Sequence, residues 1–241
     1  MVQSAQPNPQ AVAGATVEER SAFLVRTYLH LVAALLAFIG IEAFLLVSGI
    51  ASMITETVLG AGRFGWLIFL VMFMGVSWIA DRWARSDTSQ GMQYAGLGLY
   101  TVAEAVIFAP LVVLAVTMSL QEGEQPFAIL GQAGIISVIL FGGLTGVVLI
   151  TRKDFSFLRG ILMFGFLAAM VLIGASLIFG FTLGLIFMWA MVLLAAGSIL
   201  YNTSNVLHYY RTDQHVAASL QLFASFALLL YYVLMILLSR R

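Results

Sequence analysis

The sequence predicts an all-α membrane protein, a single bundle of seven transmembrane helices. The chain has 241 residues, of which 62% are hydrophobic and only 9% charged, with a mean hydropathy of +1.04. A soluble domain typically carries about 45–50% apolar and about 25% charged residues, and a soluble chain of this size could not withdraw so much apolar surface from water. The apolar residues also gather into seven runs near the ~20 residues needed to cross hydrocarbon. Finally, these runs are apolar on every face, whereas membrane barrel strands alternate over ~10 residues. Helices satisfy their own backbone groups in lipid and so fit such runs.

The elements follow in order. Residues 1–22 are polar and rich in Ala, Gln and Pro, with no basic stretch before the first apolar run. They are expected to form a mobile extramembrane tail, with no cleaved leader. The remaining 23–241 form one membrane domain. Its first span, 27–50, carries His30 near its start and Glu42 further along. The second, 64–80, runs into Trp83 and the pair Arg82 and Arg85. The third, 94–118, holds Glu104, with Pro110 six residues later to loosen the helix. The fourth, 129–150, contains Gly142 and Gly146, a small-xxx-small pair that reads as tight packing inside the bundle. Gly165, Gly174 and Gly197 add close-approach sites in the fifth span, 158–179, and the sixth, 183–200. The seventh, 216–238, is long enough for a full crossing rather than a re-entrant loop. Thr212-Asp213 just before it reads as a helix N-cap. Short connections make neighbouring helices antiparallel.

Charge sets orientation and excludes partners. Lys plus Arg number 11, as do Asp plus Glu, so no basic domain exists to follow a phosphate backbone and no nucleic-acid partner is expected. Alternating crossings put eight of the eleven basic residues on the side of the N-terminus. The positive-inside rule then predicts a cytoplasmic N-terminus. The Arg240-Arg241 pair dissents. There is no cysteine, which removes disulfides and thiolate metal sites. His30, His208 and His215 offer no tight pair in the sequence and are expected as solvated loop histidines rather than metal ligands. The single lysine, Lys153, lies in a loop, so no Schiff base forms inside the bundle. No phosphate-binding, zinc-protease or serine-hydrolase motif is present. Neither enzyme activity nor a cofactor is expected.

Two carboxyls fall inside spans. A charge at the bilayer centre costs at least ~2.5–3.5 kcal/mol. Glu42 and Glu104 therefore face the bundle interior, carry a proton, or both. Each can serve a proton or cation relay, or simply hydrogen-bond a neighbouring helix.

Two segments are distinctive together. One is Thr151-Arg152-Lys153-Asp154-Phe155-Ser156-Phe157-Leu158-Arg159-Gly160. The other is Ile199-Leu200-Tyr201-Asn202-Thr203, followed by Asp213 and a last helix that opens Val216-Ala217-Ala218-Ser219-Leu220-Gln221-Leu222-Phe223. With the seven-span pattern and a Pro110 that ends a polar-tolerant third span, the chain from about Arg20 onward resembles the Bax inhibitor-1/YccA family. The resemblance implies a compact bundle with the last helix in the centre. It also implies a bacterial plasma-membrane location and links to stress tolerance. Some members are passive calcium-leak proteins, and some bacterial members restrain a membrane-anchored ATP-dependent protease. In the calcium-leak members a pair of aspartates senses pH, one in a Tyr-Asp motif at the end of span six and one in span seven. Those positions here read Tyr201-Asn202 and Ser225. Neither Asn202 nor Ser225 ionises in the working pH range, though they can hydrogen-bond each other. The family latch also uses an arginine near the end of span two, for which Arg82 and Arg85 are the candidates.

Three functions compete. A passive pathway for calcium or protons would draw on Glu42, Glu104, Asn202 and Ser225, since hard cations prefer oxygen ligands. A non-transporting regulator would instead bind a membrane protease or another membrane partner. A small-molecule permease ranks last, because no inverted repeat or pair of broken helices is evident.

Overall fold

The computed structural model describes residues 11–86 and 89–241. Among them are a short 3-10 turn, Val12–Gly14, and eight α-helices: α1 (Val17–Val47), α2 (Ile50–Gly60), α3 (Gly62–Ala84), α4 (Gln90–Gln121), α5 (Ala128–Thr151), α6 (Leu158–Phe179), α7 (Gly184–His208) and α8 (His215–Ser239). Seven are long and apolar enough to cross a membrane. The fold is a helix-bundle membrane fold.

Of the polar tail expected over 1–22, residues 1–10 lie outside the described residues. Of the rest, Val12 is buried against the bundle and residues 17–22 belong to α1. Thr16 and Glu19 form a reciprocal capping box, so α1 starts at Val17. Ahead of it the Val12 N–H donates to the Tyr210 carbonyl at 2.9 Å, and Val12 is fully buried. The segment thus straps the α7–α8 connection.

α2 is absent from the sequence reading, which left 51–63 without an element. It is too short to span, and Gly49 at φ 78° supplies the left-handed turn that folds it back from α1. Pro110 sits inside α4 and does not end it. Buried neighbours in a bundle tolerate the freed carbonyl. The close-approach expectation holds at Gly165 and Gly197, where a Cβ would meet Leu194 and Leu162, and fails at the other three glycines. A Cβ on Gly142, Gly146 or Gly174 would meet nothing within 4 Å, whereas one on Gly96 would strike the α3 backbone and one on Gly165 the Leu194 side chain. Close approach occurs between α3 and α4 and between α6 and α7.

We call the side of the bundle holding the start of α1 the near face. The α3–α4, α5–α6 and α7–α8 connections share it. α8 begins there, with the His215 ring 4.9 Å from that of His30. It ends at the opposite, far face, where Arg241 pairs with Glu122 and Glu124 beyond the end of α4. α8 therefore runs the full depth of the bundle, and the acidic pair gives Arg241 its partners on that side. α4 and α8 are the interior spans, each 61% buried over its most apolar stretch, against 28% or less elsewhere. α8 packs on α1, α3, α4, α5 and α7.

Two local expectations fail through contacts that the sequence pattern does not show. Asp213 does not cap α8, because Arg211 holds it in an ion pair at 2.6 Å, and the cap residue is Gln214 without a side-chain bond. His215 is buried rather than solvated. His30 Nδ1 lies 2.7 Å from the Arg26 carbonyl and Nε2 lies 3.1 Å from the Tyr94 hydroxyl. The convergence of α1, α4 and α8 makes a histidine pair that sequence distance conceals.

A capped cavity and its polar floor

One cavity of about 1180 Å³ occupies the bundle. Its lining includes Leu59 of α2 and Phe181–Gly184 of the α6–α7 connection, at the far face. It extends inward past Glu104 and Pro110 of α4 to Asn202 of α7 and to Gln221 and Ser225 of α8. These last three residues form its floor.

The floor is a hydrogen-bonded knot between two helices. Asn202 Nδ2 donates to Ser225 Oγ at 2.8 Å and to the Gln221 carbonyl at 3.4 Å. Ser225 Oγ donates to the same carbonyl at 2.9 Å, one helical turn back. Both residues are buried, and buried polar groups stay inside at low cost only when paired in this way.

The knot continues toward the near face. Gln221 Nε2 donates to Asp81 Oδ1 at 2.7 Å. Asp81, in the last turn of α3, also accepts from Arg85 Nε at 2.9 and 3.0 Å. This i, i+4 pair is half-exposed. Arg85 in turn bonds Tyr210, whose carbonyl holds the N-terminal strap. Burial works against the Arg85 charge, but Tyr210 and Asp81 outweigh it and keep its pKa above the ordinary value. Burial pushes the Tyr210 phenol up, against the pull of Arg85. Of the two latch candidates, Arg85 joins this network. Arg82 lies 5.6 Å over the Trp78 ring instead.

The sequence reading missed Asp81 and gave Gln221 no role. The signal for Asp81 was its place four residues before Arg85, a spacing that pairs opposite charges on a helix. No sequence pattern marked Gln221, whose partner lies 140 positions away.

The structure separates the two intramembrane glutamates. Glu104 lines the cavity. Glu42 is buried on α1, outside the cavity lining, with neither carboxyl oxygen hydrogen-bonded among the described residues. Tyr201 borders the floor residue Asn202 and is half-buried.

The Asp154-Phe155-Ser156 run is a structural staple. Asp154 Oδ1 accepts the Ser156 N–H at 2.8 Å, and the Phe155 N–H donates to Ser204 Oγ at 2.9 Å. The Tyr209 hydroxyl donates to Asp154 Oδ2. These bonds pin the α5–α6 turn to the end of α7. The Tyr209 hydroxyl holds the Asp154 carboxyl below its ordinary value of 3.8; partial burial opposes this and Ser156 assists it. A depressed folded value gives stability that is full above the ordinary value and drains as pH falls through the folded one. Tyr209→Phe is therefore expected to flatten the acid limb of unfolding temperature against pH. Tryptophan-fluorescence melts between about pH 6 and about pH 3 would check it. An unchanged acid limb would refute the assignment.

Among the described residues no group of three or more His, Asp and Glu could hold a metal ion. No curated protein and no solved structure matches the chain. A family model described as "Inhibitor of apoptosis-promoting Bax1" matches residues 20–241, which takes in all seven spans, the Asp154 staple and the polar floor. The chain belongs to the Bax inhibitor-1 family.

Proposed function

We propose that the protein is a passive cation pathway, for calcium or protons, closed at its near face by the Asn202–Ser225–Gln221 floor and the Asp81–Arg85 pair behind it. One observation carries this reading. A cavity whose lining runs from the far-face ends of α2 and α7 inward contains a carboxyl, Glu104, and ends on a polar floor, beyond which lies a second carboxylate. Oxygen ligands in sequence are what a hard cation needs when it sheds water. Eight of eleven basic residues lie on the near side, which makes that face cytoplasmic. The chain works without a cofactor and is not an enzyme.

The floor sets the gating. Neither Asn202 nor Ser225 ionises, so these two residues supply no pH-dependent release of their own. In calcium-loaded liposomes the wild type is expected to leak slowly. Glu104→Gln should cut the flux at least about tenfold, or about 1.4 kcal/mol of barrier. The double change Asn202→Asp/Ser225→Asp should introduce pH dependence, since two carboxyls sharing one site cannot both ionise easily. Equal, background-level flux from wild type and Glu104→Gln would end this reading.

A second reading has one observation in its favour. A floor locked by neutral groups suits a non-transporting regulator of a membrane-anchored protease. Co-purification from native membranes in mild detergent tests it, and recovery of free monomer alone counts against it.

A further inference from the structure

The cavity lining carries more than a path for a hydrated metal ion requires. Nine aromatic side chains border it, among them Trp66, Phe73, Tyr100, Phe108, Tyr231 and Tyr232. Its one carboxyl is Glu104, itself buried, and no lysine, arginine or histidine lines it among the described residues. Its volume of about 1180 Å³ exceeds the roughly 300–1,000 Å³ of drug-sized ligand sites.

We propose that this cavity is a binding site for a lipophilic organic cation, a bulky ammonium or phosphonium ion drawn from the bilayer. Three properties select that occupant. An anion would meet a carboxyl and no basic partner. A neutral lipid chain would fill the apolar walls but offer no charge to the Glu104 carboxyl, which Tyr100 hydrogen-bonds. A soft organic cation satisfies both parts, because its charge faces Glu104 while its hydrocarbon covers the walls. Aromatic faces attract such ions through the ring quadrupole and are the usual recognition element for quaternary ammonium groups. The walls nearest the lipid are those of α3 and α6. Trp66 and Leu70 of α3 and Phe166, Ile173 and Leu177 of α6 line the cavity, and these two spans are the least buried, at 11% each.

The inference does not depend on ion conduction, and the test reads no flux. The purified full chain in nonionic detergent is dialysed to equilibrium against radiolabelled tetraphenylphosphonium. Saturable binding of one ion per chain is expected. Glu104→Gln should weaken it at least about tenfold, and Trp66→Leu by several-fold. Glu104→Asp should retain most of the affinity. Triphenylphosphine oxide, similar in build but uncharged, should not compete. Monodisperse elution shows whether each variant is folded. If Glu104→Gln fails to fold, Trp66→Leu and the neutral competitor still decide. Absence of saturable binding, equal binding by the Gln and Leu variants, or displacement by the neutral compound would each overturn the proposal. Binding without calcium flux would leave it standing and remove only the leak reading; flux without binding would do the reverse.

Discussion

Gly96→Ala is expected to destabilise the bundle by about 3 kcal/mol, at the upper end of the range for overpacked interiors. A Cβ at this position would lie 2.5 Å from the Ala84 nitrogen and 2.6 Å from the Ala80 carbonyl oxygen. Both are backbone atoms of α3, so no rotamer change relieves the clash and the helices must separate. Ala80 and Ala84 are themselves buried on the facing side, and these three small residues let the α3 and α4 backbones come close. Small-residue contact is the usual device for helix association where lipid competes on equal terms for apolar surface. Thermal unfolding in detergent, followed by tryptophan fluorescence, should show a lowered midpoint. Gly98→Ala serves as the control, since a Cβ there would meet nothing within 4 Å. Equal midpoints for the two variants would refute the packing argument.

Asp81→Ala is expected to open the near face. It removes the acceptor for Gln221 and the partner of Arg85 together. Hydrogen bonds to a charged group are worth about 1.5–3 kcal/mol, so a closed state that depends on them should lose at least about tenfold in population. Calcium efflux from liposomes should rise by a similar factor at neutral pH, and Asp81→Glu should fall between wild type and Ala. Monodisperse protein separates gating from unfolding. A folded Asp81→Ala protein with wild-type efflux would show that the contact is not a gate.

The spans were legible because hydropathy is a local property of consecutive residues, and seven long runs need no tertiary information. α2 escaped because a short amphipathic segment beside a membrane resembles a loop in composition. Glu104 announced itself, since an intramembrane carboxyl is costly wherever it sits. Yet the sequence could not separate it from Glu42, because only packing decides which carboxyl meets a cavity. Gln221 and the pairing of His30 with His215 depend on contacts between distant helices. The capping residues show the same division. Thr16 and Glu19 form their box within one turn, but Asp213 was taken from its capping site by Arg211, two positions away, in a loop whose shape no periodic pattern describes.

The placement of α8 has a consequence for biosynthesis. It emerges after every helix it touches, α1, α3, α4, α5 and α7, and supplies Gln221 and Ser225 to the floor. Membrane insertion proceeds from the N-terminus as the chain emerges. The ribosome therefore delivers six spans with an unfilled slot between them. In that interval Asn202 lacks its Ser225 partner and Asp81 lacks Gln221. A translation product that stops before α8 would therefore lack the partners of both Asn202 and Asp81, and its floor could not form.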